Sequence, residues 1–271
     1  MIITFIGGGN MATALIGGLL RGKFYVPEEL CVVEASEDAC AKLHNQFSIR
    51  ATTNLVQSLT GSGVIVLAVK PQQLREVCTQ LSPLLSGQLI VSIAAGIRTS
   101  DLARWLNTQN IVRCMPNTPA LVGMGVTGLY ALPKVGAVQR EIAENILNAV
   151  GSSVWLEEEV MLDGVTAVSG SGPAYVFYFI EAMQQAAREL GFNEAQAKSL
   201  VIDTFLGATK LAQASPDDVS VLRARVTSKN GTTERALLSM ENDSVKQHIV
   251  AAVHAAAIRS KEMGDELGSA K

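Results

Sequence analysis

Residues 2–12 read Ile2-Ile3-Thr4-Phe5-Ile6-Gly7-Gly8-Gly9-Asn10-Met11-Ala12. A short apolar run stops on three glycines. The segment after them has helical spacing, with Met11, Leu15, Gly18 and Leu19 along one face. A strand that turns directly into a helix in this way is how a dinucleotide-binding βαβ unit begins. The chain has the first two glycines of GxGxxG, with Ala12 in the third place. Gly7 would make the tight turn, Gly9 would let a pyrophosphate approach the backbone, and Ala12 would let helix and strand pack closely. The helix starting near Asn10 aims free N–H groups and the positive end of its dipole at the same point. The glycine string alone is weak, since a turn that binds nothing reads the same. Its context strengthens it. A second strand, Leu30–Val33, ends on Glu34, where a carboxylate commonly takes the adenosine ribose 2′-hydroxyl. Glu34 would repel a 2′-phosphate, and no lysine or arginine follows until Lys42, so taken alone it favours NADH over NADPH. Ser36 offers a hydroxyl to a phosphate if Glu34 turns away.

Beyond Glu34 the alternation continues. A helix is expected from Ser36 to Phe47, then strands at Val64–Val69, Leu89–Ile93 and Ile111–Cys114. Val64–Val69 is apolar throughout, as expected of a strand covered on both faces. Pro71 opens the helix after it, and Ile97–Leu106 is helical with Thr99 or Ser100 as cap. Val126–Leu132 and Ser153–Leu156 are candidate edge strands flanking a helix at Glu141–Val150. Short strands separated by helices predict a mostly parallel α/β sheet, here a Rossmann-like domain over residues 1–163. Past Gly164 the period changes and no strand pattern recurs. Helices are expected at Pro173–Leu190, from a capping box at Asn193–Gln196 to Ala214, from Ser215 to Val226, at Thr232–Met240 and at Ser244–Met263. Residues 164–271 therefore form an all-helical second domain.

Composition removes several classes. With 48% apolar and 17% charged residues the chain is not disordered. A net charge of −3, with no basic stripe, speaks against nucleic acid as a partner. No apolar run reaches the roughly 18 residues of a membrane span, and the N-terminus lacks the features of a signal peptide. Cys31, Cys40, Cys78 and Cys114 have neither CxxC spacing nor neighbouring histidines, so no metal site is expected and they read as small buried hydrophobes in a cytoplasmic, reducing setting. The Ala- and Ile-rich stretch Val245–Ile258 is apolar on more than one face, which asks for a second subunit.

Three further loops close strands on the expected ligand edge of the sheet. They are Ala68-Val69-Lys70-Pro71, Ala94-Ala95-Gly96 and Met115-Pro116-Asn117-Thr118-Pro119-Ala120. Lys70 brings a positive charge to an anion site. The small residues of the second loop leave room for a flat ring. Asn117 offers a donor and an acceptor to a carboxamide or a ribose. In the helical half, Val226–Thr233 is a hydroxyl-rich loop opening on a helix N-terminus. It reads equally well as a carboxylate clamp or as a well-capped helix start.

The motifs GGGNMA, AVKP, SIAAG, RCMPNTPA, SGSGPAYVF and a late SxxGTT, in that order from Gly7 to Thr233, make the chain resemble the pyrroline-5-carboxylate reductases. The resemblance covers Ile2 to about Glu262. It implies reduction of L-1-pyrroline-5-carboxylate to L-proline, the last step of proline biosynthesis, with NADPH or NADH. It also implies a homodimer built through the helical domains, often assembled further into a decamer, with an imino-acid substrate held between the cofactor domain and the helical domain of the paired subunit. Carried over by motif, Gly7, Gly9, Asn10, Met11 and Ala12 wrap the pyrophosphate. Glu34 and Ser36 fall at the adenosine end, and Asn54 is a further cofactor-binding position. Lys70 and Pro71 flank the cofactor and Ala95 lies near the nicotinamide, with Ala68, Val69, Gly96 and Asn117 as further cofactor-binding positions. Ser228, Gly231, Thr232 and Thr233 match the substrate-carboxylate positions, with the Thr233 hydroxyl near the ring nitrogen. Two departures stand out. The family usually has Ser-Pro-Gly-Gly where this chain has Ser228-Lys229-Asn230-Gly231, so Asn230 is expected to adopt a left-handed backbone. Glu34 replaces the small or hydroxyl residue common there, which puts the NADPH preference in doubt.

The reaction suits a site poor in ionisable groups. A cyclic imine reacts as its iminium ion, so it arrives protonated, and the rate comes largely from proximity and orientation. His44, His248 and His254 need no role and read as structural or interfacial. The alternative is a related imine reductase, or a 3-hydroxyacid dehydrogenase acting on another small carboxylate. The latter would place a catalytic lysine in the helix after Gly172, yet the first lysine there is Lys198.

Overall fold

The computed structural model describes residues 1–269. The expected domain 164–271 thus has its last two residues outside the described ones. Eight strands form one sheet: β1 (Ile2–Ile6), β2 (Leu30–Val33), β3 (Arg50–Thr52), β4 (Ser62–Leu67), β5 (Leu89–Ser92), β6 (Ile111–Met115), β7 (Gly125–Ala131) and β8 (Gly151–Trp155). Their order is β3-β2-β1-β4-β5-β6-β7-β8. β1 to β6 run parallel, β7 runs antiparallel to β6, and β8 runs parallel to β7. The strand order reverses between β1 and β4, so the loops after these two strands open a crevice at the carboxyl edge, where open α/β sheets bind ligands.

Helices cover both faces. α1 (Asn10–Arg21), α2 (Glu37–Phe47) and, further along, α6 (Ala137–Asn148) lie on one side, where Phe5, Leu15, Leu19, Leu30, Leu43 and Ile146 form a core. The short α3 (Leu55–Ser58) precedes β4. α4 (Pro71–Leu81) and α5 (Thr99–Leu106) lie on the other face, over Leu67, Leu74, Cys78, Leu81, Leu102 and Leu106. Covering on both faces explains the continuous apolar runs Val64–Leu67 in β4 and Leu89–Val91 in β5. Each such Leu or Ile side chain, fully buried, contributes about 1.5–3 kcal/mol. α1 comes so close to the end of α6 that a side chain at Gly18 would strike the Ala149 carbonyl.

Three local features differ from the sequence expectation. β3 is a three-residue strand that begins on a charged residue, too short to show a period. The cap of α5 is neither Thr99 nor Ser100: Thr99 is the first helical residue, and its backbone N–H (2.7 Å) and hydroxyl (2.5 Å) both donate to Glu159. The same carboxylate accepts from buried Arg113 at 2.8 Å, tying β6 to α5. Finally, the long helix expected after Gly172 is preceded by α7 (Met161–Val165) and a π-helical turn, Thr166–Gly170.

The chain forms two compact units, Met1–Ser171 together with the last helix from Ala256 onward, and Gly172–Ala255. All-helical structure begins at Met161, beside the expected change at Asp163. The second unit contains α8 (Gly172–Glu189), α9 (Glu194–Ala214), α10 (Val219–Arg225), α11 (Thr232–Asn242) and the first part of α12 (Val245–Ser269). The capping box at the start of α9 is present, with Asn193 and Gln196 bonded reciprocally. Among the described residues of this unit only Ala197 and Val201 are buried, while Phe177, Tyr178, Leu200, Leu206, Leu211 and Ile249 are exposed. A helical layer with almost no interior of its own is half of a larger core.

Candidate active site

The glycine loop has the geometry that a dinucleotide cradle requires. Gly7 sits at φ +96°, and a Cβ there would meet the Ala68 carbonyl at 2.9 Å. Its N–H donates to Val33 O, and Ala68 N–H donates to Ile6 O, both at 2.9 Å, so the loops after β1, β2 and β4 are stitched together. At Gly9 a Cβ would meet nothing within 4 Å. Gly9 is also the N-cap of α1, and no side chain caps it. The first N–H groups of the helix, from Asn10 onward, therefore face open space with a positive dipole behind them, which fits a pyrophosphate. Ala12 is buried in the core beneath, where its small size serves the packing of α1.

A cleft of about 440 Å³ opens beside this loop. It brings together Gly7, Gly9, Glu34, Ala68, Val69 and Lys70 from three separate loops. Lys70 is the exposed N-cap of α4 and Pro71 its first residue. The Glu34 carboxylate accepts from the Gly8 N–H and, at 3.0 Å, from the Ala35 N–H, so its charge is fixed at the cleft wall. Ser36 caps α2 by accepting from Ala39 N–H, and Asn54 caps α3 by accepting from Gln57 N–H at 3.0 Å. Neither Ser36 nor Asn54 lines the cleft. Thr53, Leu55, Gln73, Val77 and Gln80 do line it, and the sequence reading did not single them out. Gln73, Val77 and Gln80 recur at helical spacing along one side of α4, a signal that a closer reading of that helix would have caught.

Gly96 and Asn117 both have partners that the sequence does not announce. Gly96 has φ +73°, and a Cβ there would meet Leu267 at 3.1 Å, so its smallness also accommodates α12. Ala95 beside it is half-buried. The Asn117 amide is engaged internally: its Nδ2 donates to Ser169 O at 3.1 Å and its Oδ1 accepts from Val126 N–H at 2.9 Å. It braces the β6–β7 loop against the π-helical turn, with one N–H and one oxygen lone pair of the amide left over.

The Ser228–Thr233 loop lies in the second unit. Asn230 has φ +61°, the left-handed backbone expected where the usual glycine is missing, and its N–H donates to Glu234 at 2.7 Å. Gly231 N–H donates to Ser228 O at 3.0 Å, and a Cβ at Gly231 would strike the Ser228 hydroxyl. Gly231 is the N-cap of α11 without a side-chain cap, and Thr232 and Thr233 in the first turn are exposed. Their exposed N–H groups and hydroxyls stand at a helix N-terminus, where the dipole favours anions. No side chain caps this helix start at Gly231, although the Glu234 carboxylate reaches back to the Asn230 N–H. The histidines are accounted for as expected in one case: His44 Nδ1 is bonded to Ile49 O at 2.9 Å at the end of α2. No cluster of three or more His, Cys, Asp or Glu able to hold a metal occurs among the described residues, and no helix there is long and apolar enough to cross a membrane.

Comparison with known proteins adds an independent line. Residues 159–263 match the family model for pyrroline-5-carboxylate reductase dimerisation, and residues 2–96 match that for NADP oxidoreductase, coenzyme F420-dependent. The pyrroline-5-carboxylate reductase of Pseudomonas aeruginosa is 44% identical over 98% of this chain and 98% of its own. Among solved structures, a pyrroline-5-carboxylate reductase from Coxiella burnetii superposes with a TM-score of 0.91 at 39% identity, covering 96% of this chain and 97% of that one. The Plasmodium falciparum pyrroline carboxylate reductase, solved with NADP bound, gives 0.87 at 30% identity, covering 97% and 98%. With a glycine-loop cradle in one unit, a bare helix start carrying paired threonines in the other, and full-length relatives well above 30% identity, this chain belongs to the pyrroline-5-carboxylate reductase family.

Proposed function

We propose that this chain reduces L-1-pyrroline-5-carboxylate to L-proline, the last step of proline biosynthesis. The observation that carries the reading is identity of 44% over nearly the whole length to a reductase of that name, in a chain that keeps both the glycine cradle and the Ser228–Thr233 loop. A bound nicotinamide cofactor supplies the hydride that adds to the imine carbon, while the ring nitrogen already carries its proton. The chain's own work is to bind and orient. The N-terminal N–H groups of α1 hold the pyrophosphate, with the charge of Lys70 nearby. The N–H groups and hydroxyls of Thr232 and Thr233, with Ser228 and the close turn at Gly231, hold the substrate carboxylate. The Thr233 hydroxyl accepts a hydrogen bond from the ring nitrogen. No side chain has to transfer a proton to the substrate, which agrees with the hydroxyls and backbone amides that Ser228, Thr232 and Thr233 offer. α8 contains no lysine, which disfavours the hydroxyacid dehydrogenase alternative.

Several finer points belong to the same reading. Residues 1–163 bind the dinucleotide and the helical remainder supplies the dimer contact. The exposed apolar side chains of α8, α9 and α12 support a homodimer, and we extend this to rings of dimers such as a decamer. Glu34, held by two backbone N–H groups, supports NADH over NADPH. Four buried thiols suit a reducing, cytoplasmic setting. The test is the initial rate of cofactor oxidation with L-1-pyrroline-5-carboxylate and each cofactor in turn. Turnover yielding proline is expected, and its absence with both cofactors would reject the assignment.

A further inference from the structure

We infer that the last two turns of α12 are a positioning latch for the loop Ala94–Gly96, holding it in the one backbone conformation that can receive the nicotinamide end of the cofactor. The inference rests on the reading of that loop as part of the cofactor site, and it adds residues that no motif of the chain points to.

The loop leaves β5 and bends back into α5 through Gly96 in the left-handed region at φ +73°. Such a bend is as accessible to glycine as its neighbours in conformational space, so glycine alone does not hold it in place. The restraint comes from α12. Leu267 and Met263 close over Gly96, at 3.1 and 3.5 Å from where its Cβ would stand. Leu267 also packs on the core cluster containing Ala94 and Ile97, the residues on either side of the bend. Past the loop, Arg98 donates to Asp265 at 2.5 Å, and Arg104 donates to the Gly268 carbonyl at 3.2 Å. Two glycines one helical turn apart allow this closeness. A side chain at Gly264 would come within 3.3 Å of the Arg98 guanidinium, and one at Gly268 would strike Asp101. A turn earlier, Ser260, itself buried, donates to Asp163 at 2.7 Å and fixes where along the helix the contact falls.

These contacts run the length of the segment from Ala94 to Arg104 and pin it from outside the sheet. The residues that line the cleft beside the glycine loop, Glu34 and Val77 among them, lie outside this segment. Loosening the latch should therefore disturb the orientation of the reacting ring while leaving the hold on the adenosine end intact. A displacement of about 1 Å at reacting atoms can cost on the order of a hundredfold in rate, so a partial loosening should cost roughly tenfold in kcat.

The experiment uses the full-length protein with Leu267→Ala and Asp265→Asn, Leu267→Met as the conservative rescue, and Ala95→Val as a probe of the loop itself. Turnover with the imine substrate, equilibrium binding of NADH by fluorescence, and Tm are measured on each. The latch predicts that L267A and D265N lower kcat by roughly tenfold, with the NADH Kd within about twofold and most of kcat recovered in L267M. Variants that lose Tm but keep parental kcat at 25 °C would reduce α12 to structural packing and overturn the inference. If A95V is impaired while L267A and D265N are normal, the loop matters and the latch does not. If A95V turns over normally, the nicotinamide is not at this loop, and the latch's mode of action fails with it whatever the α12 variants do.

Discussion

Glu34→Gln should shift the cofactor preference toward NADPH by an amount that the geometry sets. In the parent, both carboxylate oxygens are engaged, one by the Gly8 N–H and one by the Ala35 N–H, so the charge cannot rotate away from a 2′-phosphate. Such a phosphate carries about −1.5 to −2 charges near neutral pH. Two unit charges about 4 Å apart cost about 1 kcal/mol in water-like surroundings. Glu34 is half-buried, so the water-like value is a lower limit, and the penalty on NADPH comes to about 1.5–2 kcal/mol. At about 1.4 kcal/mol per tenfold, E34Q should raise the NADPH/NADH ratio of kcat/KM by roughly ten- to thirtyfold. Glutamine keeps an oxygen for the Gly8 N–H, and besides the charge it removes only the acceptor of the exposed Ala35 N–H. Glu34→Ala, by contrast, leaves the Gly8 N–H without its acceptor and should weaken both cofactors alike, so the ratio separates charge from loop support. The assay is initial rates over a range of each cofactor at saturating substrate, with Tm as a control. A ratio within about twofold of the parent in E34Q, at unchanged Tm, would refute the electrostatic argument.

Other expectations follow from particular contacts. Thr233→Ala removes a hydrogen bond to a charged group, worth about 1.5–3 kcal/mol, so kcat/KM should fall roughly ten- to two-hundredfold with NADH binding intact. Thr233→Ser should recover much of it, and a stable T233A of full activity would remove the loop from the substrate site. Glu159→Ala leaves Arg113, whose side chain is 7% exposed, without its carboxylate and strips two bonds from Thr99. A loss of about 3 kcal/mol should lower Tm by roughly 6–12 °C, and a change under about 2 °C would show that the pair contributes little. Light scattering at micromolar concentration should give at least twice the monomer mass, and a monomer would contradict the exposed apolar face of the helical unit. Burial pushes the Cys78 thiol up to about 12 and raises those of Cys31, Cys40 and Cys114 as well. At pH 8 Cys78 holds almost no thiolate and the other three hold less than a free thiol would, so the native protein should resist a disulfide reagent that reacts in denaturant; rapid labelling of the native state would contradict this burial.

Local chemistry made the main lines of the fold readable. The strand-glycine-helix opening, the apolar strands β4 and β5 and the Asn193–Gln196 box depend on neighbours in sequence, and each stands where its residues imply. The left-handed Asn230 was legible for the same reason. What escaped the sequence depends on partners far along the chain. Glu159 caps a helix sixty residues before it, as the Thr99 bonds show. Asn117 carries the donor and acceptor of a ligand-binding residue, yet Ser169 and Val126 engage them as well, and nothing near Asn117 announces that. Gly96 has the smallness of a residue making way for a ring, but it also makes way for Leu267, far downstream. The reversal of β7 was equally hidden, because an apolar strand has the same pattern in either direction.

The return of α12 to the first unit also bears on how the protein is made. The nucleotide-binding unit is discontinuous in sequence, and its last piece, from Ala256, is synthesised only after the whole of Gly172–Ala255. On the ribosome the sheet and its first helices can form early, yet Gly96, Arg98 and Asp101 must wait for Met263, Asp265 and Gly268 to emerge. During that interval Ala94 and Ile97 lack the apolar cover that Leu267 later gives the core around them. A chain stalled or cleaved before Ala256 would retain every residue of the glycine loop and still expose an unfinished surface to chaperones and proteases. Completion of the cofactor unit is thereby tied to synthesis of α12.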